Sequence, residues 1–133
     1  MKIFADTSGL YALLVKNDVM HPKAQYSFTY FSKQEDLLIT TSFVVLETIA
    51  LLQRRVGINA VYDFQSKLIP LLEIVWIDLE LYNKGIQRLF ALNNRNISLV
   101  DCISFEVMES LGITQAFTFD KHFRQMGFAT NFN

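Results

Sequence analysis

Short apolar runs alternate along this chain with longer segments whose apolar residues recur at helical spacing. The runs at 2–5, 37–40, 74–77 and 116–119 predict strands, and the segments at 22–31, 43–56, 59–69, 79–93 and 99–111 predict helices. Such alternation is typical of βαβ units, in which helices cover both faces of a parallel sheet. We therefore expect an α/β protein with three α/β/α layers around a mostly parallel sheet of four to five strands.

Nothing in the sequence divides the chain into smaller units. It has 133 residues and no linker-like stretch, and its hydrophobic content of 51% is ample for one core, so we expect a single domain over residues 1–133. The one cysteine, Cys102, cannot form an internal disulfide, which favours a reducing compartment such as the cytoplasm. Asp6 interrupts the apolar N-terminus, and no apolar run is long enough for a membrane span.

Polar residues and glycines mark several of the expected helix ends. The candidate caps are Ser42, Asn59 and Asp78 at helix starts, and Gly57 and Gly112 just beyond helix ends. Ser98 and Asp101 have the spacing of a capping box, in which each side chain accepts a hydrogen bond from the backbone N–H of the other residue.

Two acids directly follow predicted strands: Asp6 follows the run at 2–5, and Asp120 follows the run at 116–119. In an open parallel sheet, ligands bind beyond the carboxyl ends of the strands, at the point where the strand order reverses. If these strands are neighbours, as right-handed crossovers in a short chain favour, both carboxylates project into one crevice. The alternative for each is a structural role, because aspartate is also a common turn former and N-cap.

Two further acids lie in predicted helices. Glu47 stands in an almost wholly apolar stretch, 43–52, so its carboxylate needs either a bound cation or a salt bridge, for which Arg54 and Arg55 are candidates. Asp101 stands in a first helical turn, where a capping box and the helix dipole could also account for it. One sheet topology can nevertheless bring together four acids: Asp6, Glu47, Asp101 and Asp120.

Carboxylates that converge without cysteine or histidine ligands suit hard divalent cations such as Mg²⁺ or Mn²⁺. The chemistry they indicate is phosphoryl transfer, in which a metal ion activates water and neutralises charge on the scissile phosphate. The net charge of −1 does not by itself indicate a nucleic-acid partner. Neutralising four of the 13 acids leaves 9 acids against 12 bases, or about +3, which permits an RNA substrate.

These motifs resemble those of the PIN-domain nucleases, and in particular those of the VapC toxins of bacterial toxin–antitoxin pairs. The four acidic motifs of the family resemble, in order, ADTSGLYAL at 5–13, VLET at 45–48, SLVDCISF at 98–105 and TFDKHF at 118–123. The first of these motifs also implies a helix after Asp6. All four stand in the order of the family and span most of the chain, which makes the resemblance specific.

The resemblance implies a metal-dependent endoribonuclease that acts as the toxin of a toxin–antitoxin pair. One or two Mg²⁺ or Mn²⁺ ions would be bound by the four carboxylates, Asp6, Glu47, Asp101 and Asp120. It further implies a homodimer and a cognate antitoxin that inserts into the acidic groove. One departure is Val100, because relatives often carry a hydroxyl residue just before the third acid.

Three hydroxyl residues are expected to support the carboxylates, because their side chains could orient ligands or waters. They are Thr7, Ser8 and Thr118. For Thr7 and Ser8, a capping or turn role is the alternative. The aromatic stretch at 26–31 could form the wall of a partner-binding groove, although aromatic residues at helical spacing more often belong to a core.

Other functions remain open on the sequence alone. A catalytically weak or inactive PIN-like binding module would keep the acids for structure or for docking a basic partner, and Val100 favours it. A haloacid-dehalogenase-like phosphatase needs a second acid two residues after the first, where this chain has Ser8. A metal-independent nuclease would need an acid–base pair, for which the candidates are His21 and His122. We expect both histidines on the surface, although His122 could hydrogen-bond near the site.

Overall fold

The computed structural model describes residues 1–131, which form a five-stranded sheet of order β3-β2-β1-β4-β5 with every pairing parallel. The strands are β1 (Lys2–Ala5), β2 (Leu37–Thr41), β3 (Leu72–Val75), β4 (Gln115–Phe117) and β5 (Ala129–Thr130). The α-helices are α1 (Thr7–Leu14), α2 (His21–Lys33), α3 (Ser42–Arg55), α4 (Ile58–Asp63), α5 (Leu79–Leu92), α6 (Leu99–Leu111) and α7 (Lys121–Gln125). Among the helices of residues 1–131, none combines the length and apolar character needed to cross a membrane.

Helices form a layer on each face of the sheet, because the chain runs outward from β1 to β3 and then returns through β4 to β5. With the right-handed crossovers that are usual for parallel strands, this reversal places helices on opposite faces. On one face, Phe31 of α2 packs edge-on against Phe117 of β4, with ring centroids 5.9 Å apart. On the other face, Phe123 of α7 packs 6.3 Å from Phe4 of β1 and 5.0 Å from Phe105 of α6. All five rings are at most 3% exposed. The predicted α/β/α layers and parallel sheet are confirmed.

The third strand begins and ends two residues earlier than the apolar run at 74–77 predicts. It ends at Val75 because the backbone N–H of Ile77 donates to Ser42 Oγ at 3.0 Å instead of to a neighbouring strand. The fifth strand was not predicted as a separate run, since two residues carry no periodic pattern.

The fourth strand ends at Phe117 rather than at residue 119. The backbone N–H groups of Thr118 and Phe119 donate to the side chains of Asn131 and Ser8, both at 2.9 Å, so they are lost to the strand ladder. Asp120 therefore follows β4 by three residues, and the prediction that it directly follows a strand is wrong. The two residues between them, Thr118 and Phe119, form the turn that places the Asp120 carboxylate in the pocket.

The predicted helix caps are only partly correct. Asp78 caps α5, and Gly112, at φ +68°, ends α6. Ser42 does not cap α3, because Thr41 Oγ1 accepts from the backbone N–H of Val44 at 3.1 Å while the Ser42 hydroxyl serves β3. Asn59 does not open α4, which begins at Ile58 after Gly57. The segment predicted as one helix at 59–69 is α4 followed by a π-helical stretch, Phe64–Leu68, and a 3₁₀ turn, Ile69–Leu71.

Candidate metal centre

The carboxyl ends of β1 and β4 meet at the point where the strand order reverses. The two strands are parallel neighbours, with Ala5 in register with Phe117, and the backbone N–H of Asp6 donates to the Phe117 carbonyl at 3.1 Å. The expectation that these strands are adjacent is therefore confirmed. An open pocket of about 500 Å³ lies at this place, as is usual for ligand sites in parallel sheets.

All four predicted carboxylates line this pocket, although they come from four different parts of the fold. Asp6 lies between β1 and α1, Glu47 lies on α3, Asp101 lies in the first turn of α6, and Asp120 immediately precedes α7. Thr7 and Ser8 also line the pocket, whereas Thr118 is buried behind Asp6. The structure thus brings together residues that are up to 114 positions apart in the sequence.

Two hydroxyls hold the Asp6 carboxylate. Its Oδ2 accepts hydrogen bonds from Ser8 Oγ at 3.1 Å and from Thr118 Oγ1 at 2.9 Å. The same Thr118 oxygen accepts from the backbone N–H of Asp120 at 2.9 Å, and Ser8 Oγ accepts from the backbone N–H of Phe119. These bonds orient the carboxylate and tie the turn after β4 to the start of α1.

Asp101 is held by the predicted capping box. Ser98 Oγ accepts from the backbone N–H of Asp101 at 3.1 Å, and Asp101 Oδ2 accepts from the backbone N–H of Ser98 at 3.4 Å. The structural explanation for Asp101 is therefore correct, yet it does not exclude a second role. One carboxylate oxygen is engaged in the box, and the side chain still faces the pocket with 8% of the residue exposed.

Burial and mutual repulsion make the ionised forms of Asp6 and Asp101 less favourable. Burial, followed by the charges of Asp101 and Asp120, raises the pKa of Asp6 to about 7, while hydrogen bonds from Thr118 and the Thr7 backbone oppose this rise. Burial and the charges of Asp120 and Glu47 likewise raise the pKa of Asp101 to about 6. Within residues 1–131, no lysine or arginine forms an ion pair with any of the four acids. The site therefore concentrates negative charge that the described protein does not neutralise.

Glu47 differs from its sequence-based description. It is only partly buried, because it faces the open pocket, and it forms no ion pair with Arg54 or Arg55 among the described residues. Arg55 instead lies over the ring of Tyr11, with its Cζ 5.6 Å from the ring centroid. The salt-bridge alternative for Glu47 is wrong for this structure, in which Glu47 lines the open pocket.

The sequence matches the family model for the PIN domain over residues 3–129. The chain belongs to the PIN-domain family. It is 31% identical over 127 residues to the 23S rRNA-specific endonuclease VapC20 of Mycobacterium tuberculosis, from strains CDC 1551 / Oshkosh and H37Rv, with 95% of each chain covered. Its structure is similar to the crystal structure of Mycobacterium tuberculosis VapC20, a sarcin-ricin loop cleaving toxin, with a TM-score of 0.84, 29% identity and 96% of each chain covered. The predicted resemblance to VapC toxins is confirmed.

In this PIN domain, a close group of potential metal ligands combines two of the four acids with a histidine, and Asp6 and Glu47 are not part of it. One oxygen each of Asp101 and Asp120 and a nitrogen of His122 all lie within 4.8 Å of one another. The expected surface position of His122 is wrong, since its side chain is 13% exposed and its Nδ1 lies 2.8 Å from Asp120 Oδ1. This contact lacks the alignment of a hydrogen bond, so the buried Nδ1 has no hydrogen-bond partner in residues 1–131. The i+2 spacing from Asp120 was the only sequence signal for it.

His21 is not part of the PIN-domain site. It is partly buried at the start of α2, and its Nδ1 lies 2.8 Å from the carbonyl oxygen of Ala12. Neither this contact nor the pocket lining brings it to His122, so the two histidines do not form the acid–base pair that a metal-independent nuclease would need. Arg55 and Tyr11 are pocket residues that the sequence did not single out for the site, because neither is unusual in its helix.

Proposed function

We propose that this PIN-domain protein is a Mg²⁺- or Mn²⁺-dependent endoribonuclease and the toxin of a toxin–antitoxin pair. The observation that carries the proposal is the convergence on one open pocket of four carboxylates, Asp6, Glu47, Asp101 and Asp120. Its relatives named VapC20 are 23S rRNA-specific endonucleases, which supports RNA as the substrate and makes large ribosomal RNA the first to test. The sole cysteine in the sequence, Cys102, is a buried free thiol, as expected in a reducing cytoplasm.

The residues present fit a hard divalent cation. The potential ligand atoms are carboxylate oxygens and one nitrogen of His122, with no thiolate among them. Burial and the neighbouring carboxylates raise the pKa of Asp6 and Asp101, and a bound cation would offset that repulsion. Thr7 Oγ1 is a buried oxygen beside Asp6 with no hydrogen-bond partner in residues 1–131, so it is free to bind a water. Asp101 and Asp120, beside His122, would hold the ion, and Asp6 and Glu47 line the same pocket.

A bound Mg²⁺ or Mn²⁺ would lower the pKa of a water molecule and offset charge on the phosphodiester. The chain itself supplies the positioning. Ser8 and Thr118 keep the Asp6 carboxylate in one orientation, and Ser98 does the same for Asp101. Because both acids have a raised pKa, an entering cation must displace their protons, so binding should strengthen as pH rises.

The direct test is cleavage of purified 23S rRNA, ribosomes and total RNA in Mg²⁺ or Mn²⁺, with and without excess chelator. We expect cleavage that the chelator abolishes, and loss of cleavage in Asp6→Asn and Asp101→Asn while both variants stay folded by circular dichroism. The matched control is Asp63→Asn, which changes an exposed helical acid paired with Lys67. Unchanged cleavage in chelator would rule out the metal mechanism, and full activity in both variants would refute the site.

Calorimetric titration with Mn²⁺ separates this function from the alternative of a PIN-like binding module. A nuclease site should bind Mn²⁺, and the Asp101→Asn variant should lose that binding together with cleavage. Specific Mn²⁺ binding without cleavage of any RNA would favour a module that has lost activity, for which Val100 remains the sequence argument.

The proposal includes a homodimer and an antitoxin. Several large apolar side chains on α3, on α4 and between them are more than half exposed, as is common at protein interfaces: Leu46, Val56, Ile58 and Tyr62. The aromatic stretch of α2 is split, because Phe31 is core while Tyr26 and Tyr30 are 76% and 52% exposed. An antitoxin could contact this exposed face and place a basic side chain in the acidic pocket. Light scattering tests the dimer, and inhibition of cleavage by the product of a neighbouring small gene tests the antitoxin.

A further inference from the structure

A positively charged side chain, that of Arg55, lines the acidic pocket. Glu47, Leu51 and Arg55 line the pocket from α3 at positions i, i+4 and i+8, so they form one stripe along a helix face. Eight residues of α-helix rise about 12 Å, which separates the Arg55 backbone from that of Glu47 by more than the width of one phosphate group. This stripe therefore has the Glu47 carboxylate at one end and the Arg55 guanidinium at the other.

An aromatic ring supports this charge. The Arg55 guanidinium lies 5.6 Å from the centroid of the Tyr11 ring, and Tyr11 lines the same pocket from α1. Within residues 1–131, Arg55 forms no ion pair and no side-chain hydrogen bond to a protein acceptor. A guanidinium on the face of a ring keeps its N–H groups available for an anion. Arg88, by contrast, is fully engaged with Glu106 and Glu109.

We propose that Arg55, held by Tyr11, binds an RNA phosphate next to the scissile one and so positions the strand across the acidic centre. This inference rests on the proposed function. Four carboxylates repel a polyanion, so the strand needs a cation near the pocket to remain there. Arginine suits this task because its planar fork can donate two parallel hydrogen bonds to one phosphate. Its place at the far end of the stripe assigns it to a phosphate other than the one being cleaved.

The chain offers a matched control in Arg54. It is exposed, lies on the same helix and has the same charge, but it does not line the pocket. Binding is measured by fluorescence anisotropy of a labelled single-stranded RNA, with Arg55→Ala and Arg54→Ala each made in the Asp101→Asn background so that the RNA stays intact. We expect Arg55→Ala to weaken binding on the order of tenfold, as loss of one charge-assisted contact implies. Arg54→Ala should change binding by less than about twofold.

Two further readouts identify the contact as one to phosphate. The slope of log Kd against log salt should fall by about 0.7 in Arg55→Ala, the value for one phosphate contact on a single strand. In the catalytically competent protein, Arg55→Ala should raise KM with kcat nearly unchanged, because the contact exists before and during cleavage. Tyr11→Leu should weaken binding in the same direction, and Arg55→Lys should be intermediate because it keeps charge but loses the fork.

The outcomes separate the two proposals. If the parent protein binds and cleaves RNA but Arg55→Ala and Arg54→Ala behave alike, the inference about Arg55 is overturned and the nuclease function stands. If the parent protein neither binds nor cleaves any RNA, the proposed function fails and the inference fails with it. Thermal melts of every variant verify folding, which exposed side chains such as Arg54 and Arg55 should not affect.

Discussion

The side chains of Thr118 and Asp6 share a hydrogen bond of 2.9 Å although the residues are 112 positions apart in the sequence. The Thr118 hydroxyl donates to the Asp6 carboxylate and at the same time accepts from the backbone N–H of Asp120. One oxygen atom therefore fixes two acids of the pocket relative to each other. It does so where β1 and β4 end side by side, so the sheet itself sets the spacing.

Replacing Thr118 with valine should impair both stability and cleavage. Valine keeps the shape but leaves the Asp6 carboxylate and the Asp120 N–H each short of a partner, which costs about 1–3 kcal/mol of unfolding free energy. Cleavage should fall by about 10- to 100-fold, as for other residues that orient metal ligands. Thr118→Ser keeps the hydroxyl and should restore most of both. Urea denaturation and RNA cleavage measure the effects, and equal activity in the two variants would contradict the role of the hydroxyl.

Asp6→Asn should stabilise the metal-free protein more at pH 8 than at pH 5. Burial raises the pKa of Asp6 from its ordinary value of 3.8 to about 7 in the folded protein. The folded state therefore keeps its proton at pH values where the unfolded chain has released it. This contribution to stability is complete below pH 3.8 and is lost as pH rises to about 7. Asparagine removes the buried charge, so the free energy of unfolding should rise by about 1–4 kcal/mol at pH 8. Each tenfold change in proton affinity corresponds to about 1.4 kcal/mol.

Denaturant melts of the Asp6→Asn and parent proteins in chelator, at both pH values, check this prediction. Asp63→Asn is the control, because its carboxylate is partly exposed and pairs with Lys67 outside the pocket. A parent protein that is more stable than Asp6→Asn at pH 8 without metal would show that the carboxylate is already compensated within the fold.

Binding of Mn²⁺ should release protons near pH 6. Asp6 and Asp101 have raised pKa values of about 7 and about 6, so both are partly protonated there, and a cation must displace those protons. Added Mn²⁺ should accordingly raise the thermal midpoint more at pH 8 than at pH 5.5. Calorimetry in buffers of different ionisation enthalpy counts the protons released. A heat of binding that does not depend on the buffer at pH 6 would be inconsistent with protonated ligands.

Ser98→Ala and Asp78→Ala should reduce stability alike but affect the site differently. Each removes a side-chain N-cap, Ser98 from α6 and Asp78 from α5, and each should cost about 1 kcal/mol. Only Ser98 also holds Asp101, so only Ser98→Ala should weaken Mn²⁺ binding measured by calorimetry. Equal loss of Mn²⁺ affinity in both variants would mean that the capping box has no particular influence on the site.

Much of the fold could be read from the sequence because its signals are local. The alternation of apolar runs with helical segments predicted the layers, and Asp78, Ser98 and Gly112 were correctly placed at helix ends because capping depends on neighbouring residues. The predicted ends of β3 and β4 were wrong, because there a side chain distant in the sequence accepts a hydrogen bond from the backbone. Ser42 ends β3, and Ser8 and Asn131 end β4, and no local pattern reveals such partners.

The candidate site was predictable as a set of residue types and much less so as an arrangement. The order of the four acidic motifs supplied the carboxylates, but the partners of Glu47 and His122 were misjudged. Glu47 lies in an apolar stretch, yet it is partly exposed because the pocket opens beside α3. Nothing in the sequence around His122 predicts burial, yet the short helix α7 places its ring beside the Asp120 carboxylate.

The sequence by itself determined the elements, the layer architecture and the acids that can bind a cation, because periodicity, capping and side-chain chemistry are properties of short segments. Only the tertiary structure decided that β1 and β4 are neighbours and that Thr118 joins their acids. It also decided that Arg55 rests on Tyr11 rather than on Glu47. Burial and charge proximity, which raise the pKa of Asp6, depend on how distant segments pack, and that packing is a property of the whole chain.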